Sequence, residues 1–250
     1  MRRIIALMLL VLAALSPAAY AEVVNNAAIC YHAVTKSPLE LAKYTISEKE
    51  LEEDIRYFTK NGNELVTPSE MYHKNKKNSV ILTFDDGYED FYTVVFPLLK
   101  KYNVKAVVYI ISSRINKKGY LKDWQIKELD ASGLVEIGNH THIIHMYPYR
   151  KQDYANSNAL VNDFVADAKE CDDRLKKILG HGIESLAYPS GQYTPALDKA
   201  IRTKLGYTTT FATDFGIIKN NTDMSSPMKR VYHEHEVTTQ EVAQRINRFK

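Results

Sequence analysis

The stretch Ser79-Val80-Ile81-Leu82-Thr83-Phe84-Asp85-Asp86-Gly87-Tyr88 sets an apolar, β-branched run of strand length directly against two carboxylates and a glycine. Side chains on an extended strand alternate between its two sides, so Asp85 and Asp86 take different roles unless the strand has already ended. An Asp-Asp-Gly turn that merely caps the following helix is the structural alternative. A second stretch, Glu136-Ile137-Gly138-Asn139-His140-Thr141-His142-Ile143-Ile144-His145, delivers three histidines within six residues, again behind a short apolar run at 134–137. A carboxylate and two imidazoles converging beside an open coordination position are what a catalytic zinc ion requires.

Apolar runs of strand length alternate with helical patterns along the rest of the chain. Residues 27–34 read as a strand with His32 near its carboxyl end, and Ser47 with Glu50 has the form of a capping box opening a helix that ends near Asn61-Gly62. A short strand at 64–67, the strand before Asp85, a helix at 89–102 and a nearly continuous apolar run at 104–111 follow. Helices are expected at 124–132, 159–179, 195–205 and 239–249, and strands at 134–137, 185–188, 207–213 and 230–233. Such alternation specifies an α/β fold with a parallel sheet, open or closed into a barrel, in a single domain. In barrels of this kind the working residues sit at the carboxyl ends of strands. His32, Asp85, Asp86, His140, Tyr188 and His233 all fall there.

Residues 1–21 have the form of a secretion signal: Arg2 and Arg3, an apolar run at 4–15 too short to span a bilayer, and Ala19-Tyr20-Ala21 as a small-x-small cleavage site. The mature domain is then 22–250, exported to a periplasm or the cell exterior, with no membrane span. Without Arg2 and Arg3 the formal charge falls from +3 to +1. A nearly neutral chain lacks the basic footprint of a nucleic-acid binder, and a neutral polymer is the more natural partner. Cys30 and Cys171 give no disulfide framework, and both are expected as free thiols.

Thr83-Phe84-Asp85-Asp86-Gly87, Gly138-Asn139-His140-Thr141 with His145, and Ala187-Tyr188-Pro189-Ser190-Gly191 resemble the motifs of the polysaccharide deacetylases, the nodulation-protein-like carbohydrate esterases of family four. Ile29-Cys30-Tyr31-His32 and Val66-Thr67-Pro68 extend the resemblance over the mature chain. It implies a distorted (β/α) barrel of parallel strands and a metal-dependent hydrolase acting on C–N bonds other than peptide bonds. Asp86, His140 and His145 would be the metal ligands and Asp85 the base. The metal would be zinc, with nickel, cobalt or iron(II) as alternatives.

The chain departs from the commoner family pattern in three places. The second histidine stands five residues after the first, with Ile144 at the usual position; Ala187 replaces the arginine before the proline motif; and no clear Leu-x-His motif lies near the C-terminus. These departures resemble the branch that acts on the poly-β-1,6-N-acetylglucosamine of biofilm matrix, in which a histidine near the N-terminus is the general acid. His32 matches that position, and Arg230, at another expected strand end, is the candidate substitute for the missing arginine.

The resemblance therefore implies a monomeric, exported enzyme with an N-acetylated polysaccharide as partner. Peptidoglycan- or chitin-type deacetylation, O-acetyl esterase activity, and an inactive glycan-binding module are the alternatives. Tyr188, Pro189 and Gly191 are expected against the substrate, with Tyr188 and Tyr147 as its sugar-stacking rings. A backbone N–H of the 188–193 loop is expected to help stabilise the oxyanion. His142 is expected outside the ligand set, His233 and His235 as solvated surface residues, and His73 and His181 carry no signal.

Overall fold

One parallel sheet, rolled into a barrel, runs through the computed structural model, which describes residues 26–146, 158–213 and 226–247. The expected secretion signal at 1–21, Tyr147, and the end of the last expected helix at 248–249 lie outside the described residues. The chain enters through β1 (Ala27–Tyr31), a small paired unit of β2 (Ala33–Thr35) and β3 (Thr45–Ser47), helix α1 (Glu48–Lys60), β4 (Glu64–Leu65) and α2 (Pro68–Lys74). Next come β5 (Ser79–Phe84), a π-helical turn (Phe91–Val95) running into α3 (Phe96–Tyr102), β6 (Ala106–Ile110), α4 (Asp123–Ala131) and β7 (Val135–Asn139). Helix α5 (Asn158–Leu179), β8 (Ser185–Ala187), α6 (Pro195–Leu205), β9 (Thr209–Ala212), β10 (Met228–Lys229), β11 (Val231–Tyr232) and α7 (Thr239–Asn247) complete it.

The strand order is β10-β9-β8-β7-β6-β5-β1-β11, with β4 paired to the beginning of β5. Only Arg230 separates β10, which pairs with β9, from β11, which pairs with β1. The barrel thus closes within residues 228–232, and Arg230 stands at the seam.

Alternation along each strand sorts its side chains. One parity of β1, β5 and β6 turns outward and packs Ile29, Tyr31, Leu82, Phe84, Val108 and Ile110 with the apolar stripes of α1, α3 and α4. The other parity fills the barrel with Ala28, Ile81, Val107, Tyr109, Ala187 and Phe211, and Val66 and Met71 of the β4–α2 segment join them. Gly138 is required there, because a Cβ on it would meet the Tyr109 ring at 2.4 Å. A third cluster, including Phe164, Leu186, Tyr188 and Ile201, lies between the sheet and helices α5 and α6.

The expected strand over 27–34 is interrupted at His32, which leaves β1 before β2 begins. Helix α2, only seven residues long, was not legible in the hydrophobic pattern. It is set by Thr67, whose Oγ1 accepts the Glu70 N–H at 3.2 Å, and by Pro68 in its first turn. The Ser47–Glu50 capping box forms as read: the Glu50 N–H donates to Ser47 Oγ at 3.1 Å and the Ser47 N–H to Glu50 Oε2 at 2.7 Å.

Candidate active site

Strand parity brings the candidate residues together. Ile81, Thr83 and Asp85 share the inward side of β5 and its exit, as do Ala28, Cys30 and His32 of β1. Tyr31 pairs with Phe84, and the Asp85 N–H donates to the Tyr31 carbonyl at 3.0 Å, so His32 and Asp85 leave the sheet side by side. The side-chain ligand atoms of Cys30, His32 and Asp85 lie within 4.8 Å of one another. By parity alone Asp86 would face outward, but its φ of 77° reverses it. Both aspartates therefore open to the barrel mouth.

Asp85 is gripped by Arg230. The guanidinium donates from Nη1 to Oδ1 at 2.6 Å and from Nη2 to Oδ2 at 2.8 Å, and a further bond from Nη1 reaches Thr83 Oγ1 at 3.1 Å. Arg230 is wholly buried. Burial would by itself raise the Asp85 pKa; Arg230, with His140 and His32 nearby, overrides it and holds the carboxyl well below the usual range. The Cys30 thiol, kept protonated by its own burial, donates to Asp85 Oδ2 at 3.6 Å.

On the other side of the turn stand Asp86, His140 and His145, whose ligand atoms also lie within 4.8 Å of one another. His140 Nε2 is 3.5 Å and His145 Nε2 3.2 Å from Asp86 Oδ1. His140 Nδ1 lies 2.7 Å from the Ala187 carbonyl, which can only accept, so Nδ1 carries the hydrogen and Nε2 presents its lone pair. Burial pulls the His140 pKa down to about 4, keeping the ring neutral. Asp86 Oδ1 is buried and makes no well-formed hydrogen bond. An orphaned carboxylate oxygen between two imidazole nitrogens, one fixed in the ligating tautomer, fits a divalent cation with three protein ligands and an open side.

The loop carrying His145 explains the five-residue spacing. The backbone N–H groups of His142, Ile143 and Ile144 donate to the Asp167 carboxylate of α5 at 2.7, 3.0 and 3.3 Å. Ile144, at the usual ligand position, is buried in the cluster beneath α5 and α6, and the next residue turns back to Asp86. His142 instead bonds Ser112 Oγ through Nδ1 at 2.7 Å and pairs with Glu170 at 3.2 Å.

A polysaccharide deacetylase family model matches residues 72–210, more than half of the chain. The chain belongs to the polysaccharide deacetylase family. Among its relatives, YxkH of Bacillus subtilis, named as a polysaccharide deacetylase, is 29% identical over 206 residues, covering 78% of this chain and 67% of that protein. The poly-β-1,6-N-acetyl-D-glucosamine N-deacetylase of Staphylococcus aureus is 27% identical over 165 residues, covering 62% of this chain and 57% of that enzyme's length. Among solved structures, IcaB from Ammonifex degensii superposes with a TM-score of 0.74 at 28% identity, over 88% of this chain and 96% of that one. A de-N-acetylase from Aggregatibacter actinomycetemcomitans shares the fold, with a TM-score of 0.77 at 23% identity over 89% of this chain and all of that one (100%).

Within this deacetylase barrel, parity also corrects two readings of strand-end residues. Ala187 faces inward and Tyr188 outward, so the Tyr188 ring is wholly buried in the α5–α6 cluster and its hydroxyl donates to Asp198 Oδ1 at 2.9 Å. It has no face left for a sugar. The turn after it is shaped by Pro189, which is buried, and by Gly191, where a Cβ would lie 2.4 Å from the Thr213 nitrogen. The N–H groups of Tyr188, Gly191 and Gln192 already bond the carbonyls of Phe211, Tyr188 and Pro189, so none of these three is available as an oxyanion donor.

His233, expected at the surface, is buried. Its Nδ1 meets Asp54 Oδ2 at 2.5 Å and its Nε2 the Val237 carbonyl at 2.7 Å, while Tyr31 donates to the same Asp54 oxygen at 2.6 Å. Asp54, Asp167 and the Cys30 contact were not legible in the sequence, because each depends on which distant segment is packed against it.

Proposed function

We propose that this protein is an exported, metal-dependent N-deacetylase that hydrolyses acetamide groups of poly-β-1,6-N-acetylglucosamine. The observation that carries the reading is the pairing of an Arg230-bound Asp85 with the orphaned Asp86 oxygen between His140 and His145. Asp86, His140 and His145 would hold a divalent ion, zinc by the chemistry of the donor set. Such an ion supplies Lewis acidity, polarising the acetamide carbonyl and lowering the pKa of a water from about 15.7 towards roughly 7.

The chain's own groups handle the protons. Asp85 accepts the proton of the attacking water; Arg230 keeps it ionised and lowers its basicity, which suits a base whose proton comes from an acidified water. His32, whose ring lies close to Asp85, gives its proton to the amide nitrogen as the C–N bond breaks, releasing acetate and leaving an amine on the sugar. His140 and its Ala187 bond fix the orientation of the centre. The bidentate Arg230 stands where Ala187 leaves a gap in the motif, so that departure does not favour an inactive binding module. Cleavage after Ala21 would send the domain at 22–250 to the periplasm or beyond.

The test is acetate release from poly-β-1,6-N-acetylglucosamine oligomers by the mature protein, with and without a chelator and with Asp85→Asn alongside. Release that the chelator stops and the variant lacks is expected. No release from protein carrying stoichiometric zinc would overturn the substrate; parallel assays on chitin oligomers, peptidoglycan fragments and an O-acetylated glycan would then identify the acetyl group it takes.

A further inference from the structure

Aromatic rings flank the carboxylate turn on both sides of the barrel mouth. Tyr88, next after Gly87, stacks on Tyr120 with ring centroids 5.2 Å apart. Four residues on in each segment, Tyr92 and Trp124 meet edge to face, also at 5.2 Å. The two segments are joined by a Tyr88–Tyr120 backbone bridge, by the Leu121 N–H donating to the Gly87 carbonyl at 3.0 Å, and by Lys122 Nζ on Glu89 at 2.7 Å. Tyr120 is backed by the Arg114 guanidinium at 5.5 Å, and Tyr92 is held by its hydroxyl on Glu128 at 2.7 Å. These two are supports for the rings in front of them. Trp124, the only tryptophan of the chain, is 54% exposed in the first turn of α4, the end of that helix nearest the carboxyl end of β6.

Across β5, His32 has Tyr44 at 5.3 Å and Tyr232 at 6.1 Å, with 5.8 Å between the two tyrosines. Tyr44 is 43% exposed, and the Lys43 ammonium, which also pairs with Glu234 at 3.2 Å, lies over its ring at 4.9 Å. Tyr88 follows Asp86 and Gly87 at the exit of β5. One aromatic group thus begins at Tyr88, two residues after Asp86, and the other at His32, beside Asp85. Large exposed aromatic faces gain nothing from water, and they suit a ligand that is apolar on its ring face and polar at its rim, as a pyranose is.

We propose that these two walls are sugar-binding subsites on either side of the reacting residue, so that a β-linked N-acetylglucosamine chain crosses the mouth from Tyr44 to Trp124 and is deacetylated at internal positions. This rests on the deacetylase reading of the site and adds its polymer-binding residues. Because Trp124 is the sole tryptophan, its emission reports binding without any turnover.

The experiment titrates zinc-loaded protein with a β-1,6-linked N-acetylglucosamine pentasaccharide and, separately, with N-acetylglucosamine itself, and measures deacetylation kinetics in parallel. A saturable change in Trp124 emission with the pentasaccharide and none with the monosaccharide is expected. Trp124→Ala and Tyr44→Ala should each raise KM for the pentasaccharide about five-fold with kcat within about two-fold, and Trp124→Phe should restore most of the loss. Tyr72→Ala removes an exposed ring from α2, at the opposite end of the barrel, and should leave KM unchanged. Unmoved emission together with wild-type KM in both alanine variants overturns the proposal while leaving the enzyme reading intact. If the wild type releases no acetate from the pentasaccharide, that substrate reading fails, and the emission alone decides: a saturable response upholds the walls and a flat one overturns them.

Discussion

Arg230 illustrates what a single side chain does here that its neighbours cannot. A guanidinium binding both oxygens of Asp85 fixes the rotation of the carboxylate as well as its charge, which the point charge of a lysine does not. Arg230→Lys is therefore expected to fold and to lose at least about ten-fold in kcat, with zinc content unchanged, as metal analysis beside steady-state kinetics would reveal. Arg230→Ala removes one partner of a buried ion pair and is expected to lower the melting temperature as well. Equal activity in the lysine variant would show that charge alone is required at Asp85.

At the scale of elements, the buried contact of His233 with Asp54 joins the exit of β11 to α1, and Tyr31 adds β1 to the same carboxylate. Burial lowers the His233 pKa, but the bond to Asp54 and the Val237 carbonyl raise it further, leaving it above the usual 6.5. A raised histidine pKa contributes stability that is fully present below about 6.5 and is lost as pH rises through the folded value. His233→Gln should therefore cost more melting temperature at pH 6 than at pH 8.5. Thermal unfolding of both proteins at the two pH values checks this, and a pH-independent difference would mean that the ring packs there without its charge.

For the whole molecule, the three residues proposed as metal ligands come from the exit of β5 and from the exit of β7 with its loop, while the proposed base is tied to the closing seam of the barrel. Binding a cation across such separate segments favours the folded state over the unfolded one by mass action. Addition of zinc to chelated protein should raise the melting temperature by several degrees. His140→Ala, which removes a ligand, should abolish most of that rise; a rise of wild-type size in this variant would place the zinc elsewhere. Among the described residues no helix is long and apolar enough to cross a membrane.

The alternation of strands and helices, the carboxylate turn after β5 and the histidine cluster after β7 were all legible in the sequence, because period-two and helical patterns are local and each motif lies within ten residues. So was the candidacy of Arg230, from its position at an expected strand end. What the sequence could not determine was the side of the sheet on which each strand end faces once the ring closes. Tyr188 and His233 sit at strand ends like His140 and Asp85, yet both are turned into the surrounding packing. Asp86 would have shared their fate but for its positive φ. Only closure of the barrel brings the Arg230 guanidinium from the last strands onto Asp85, 145 residues earlier, because that contact depends on strand order and register and on no local preference of either segment.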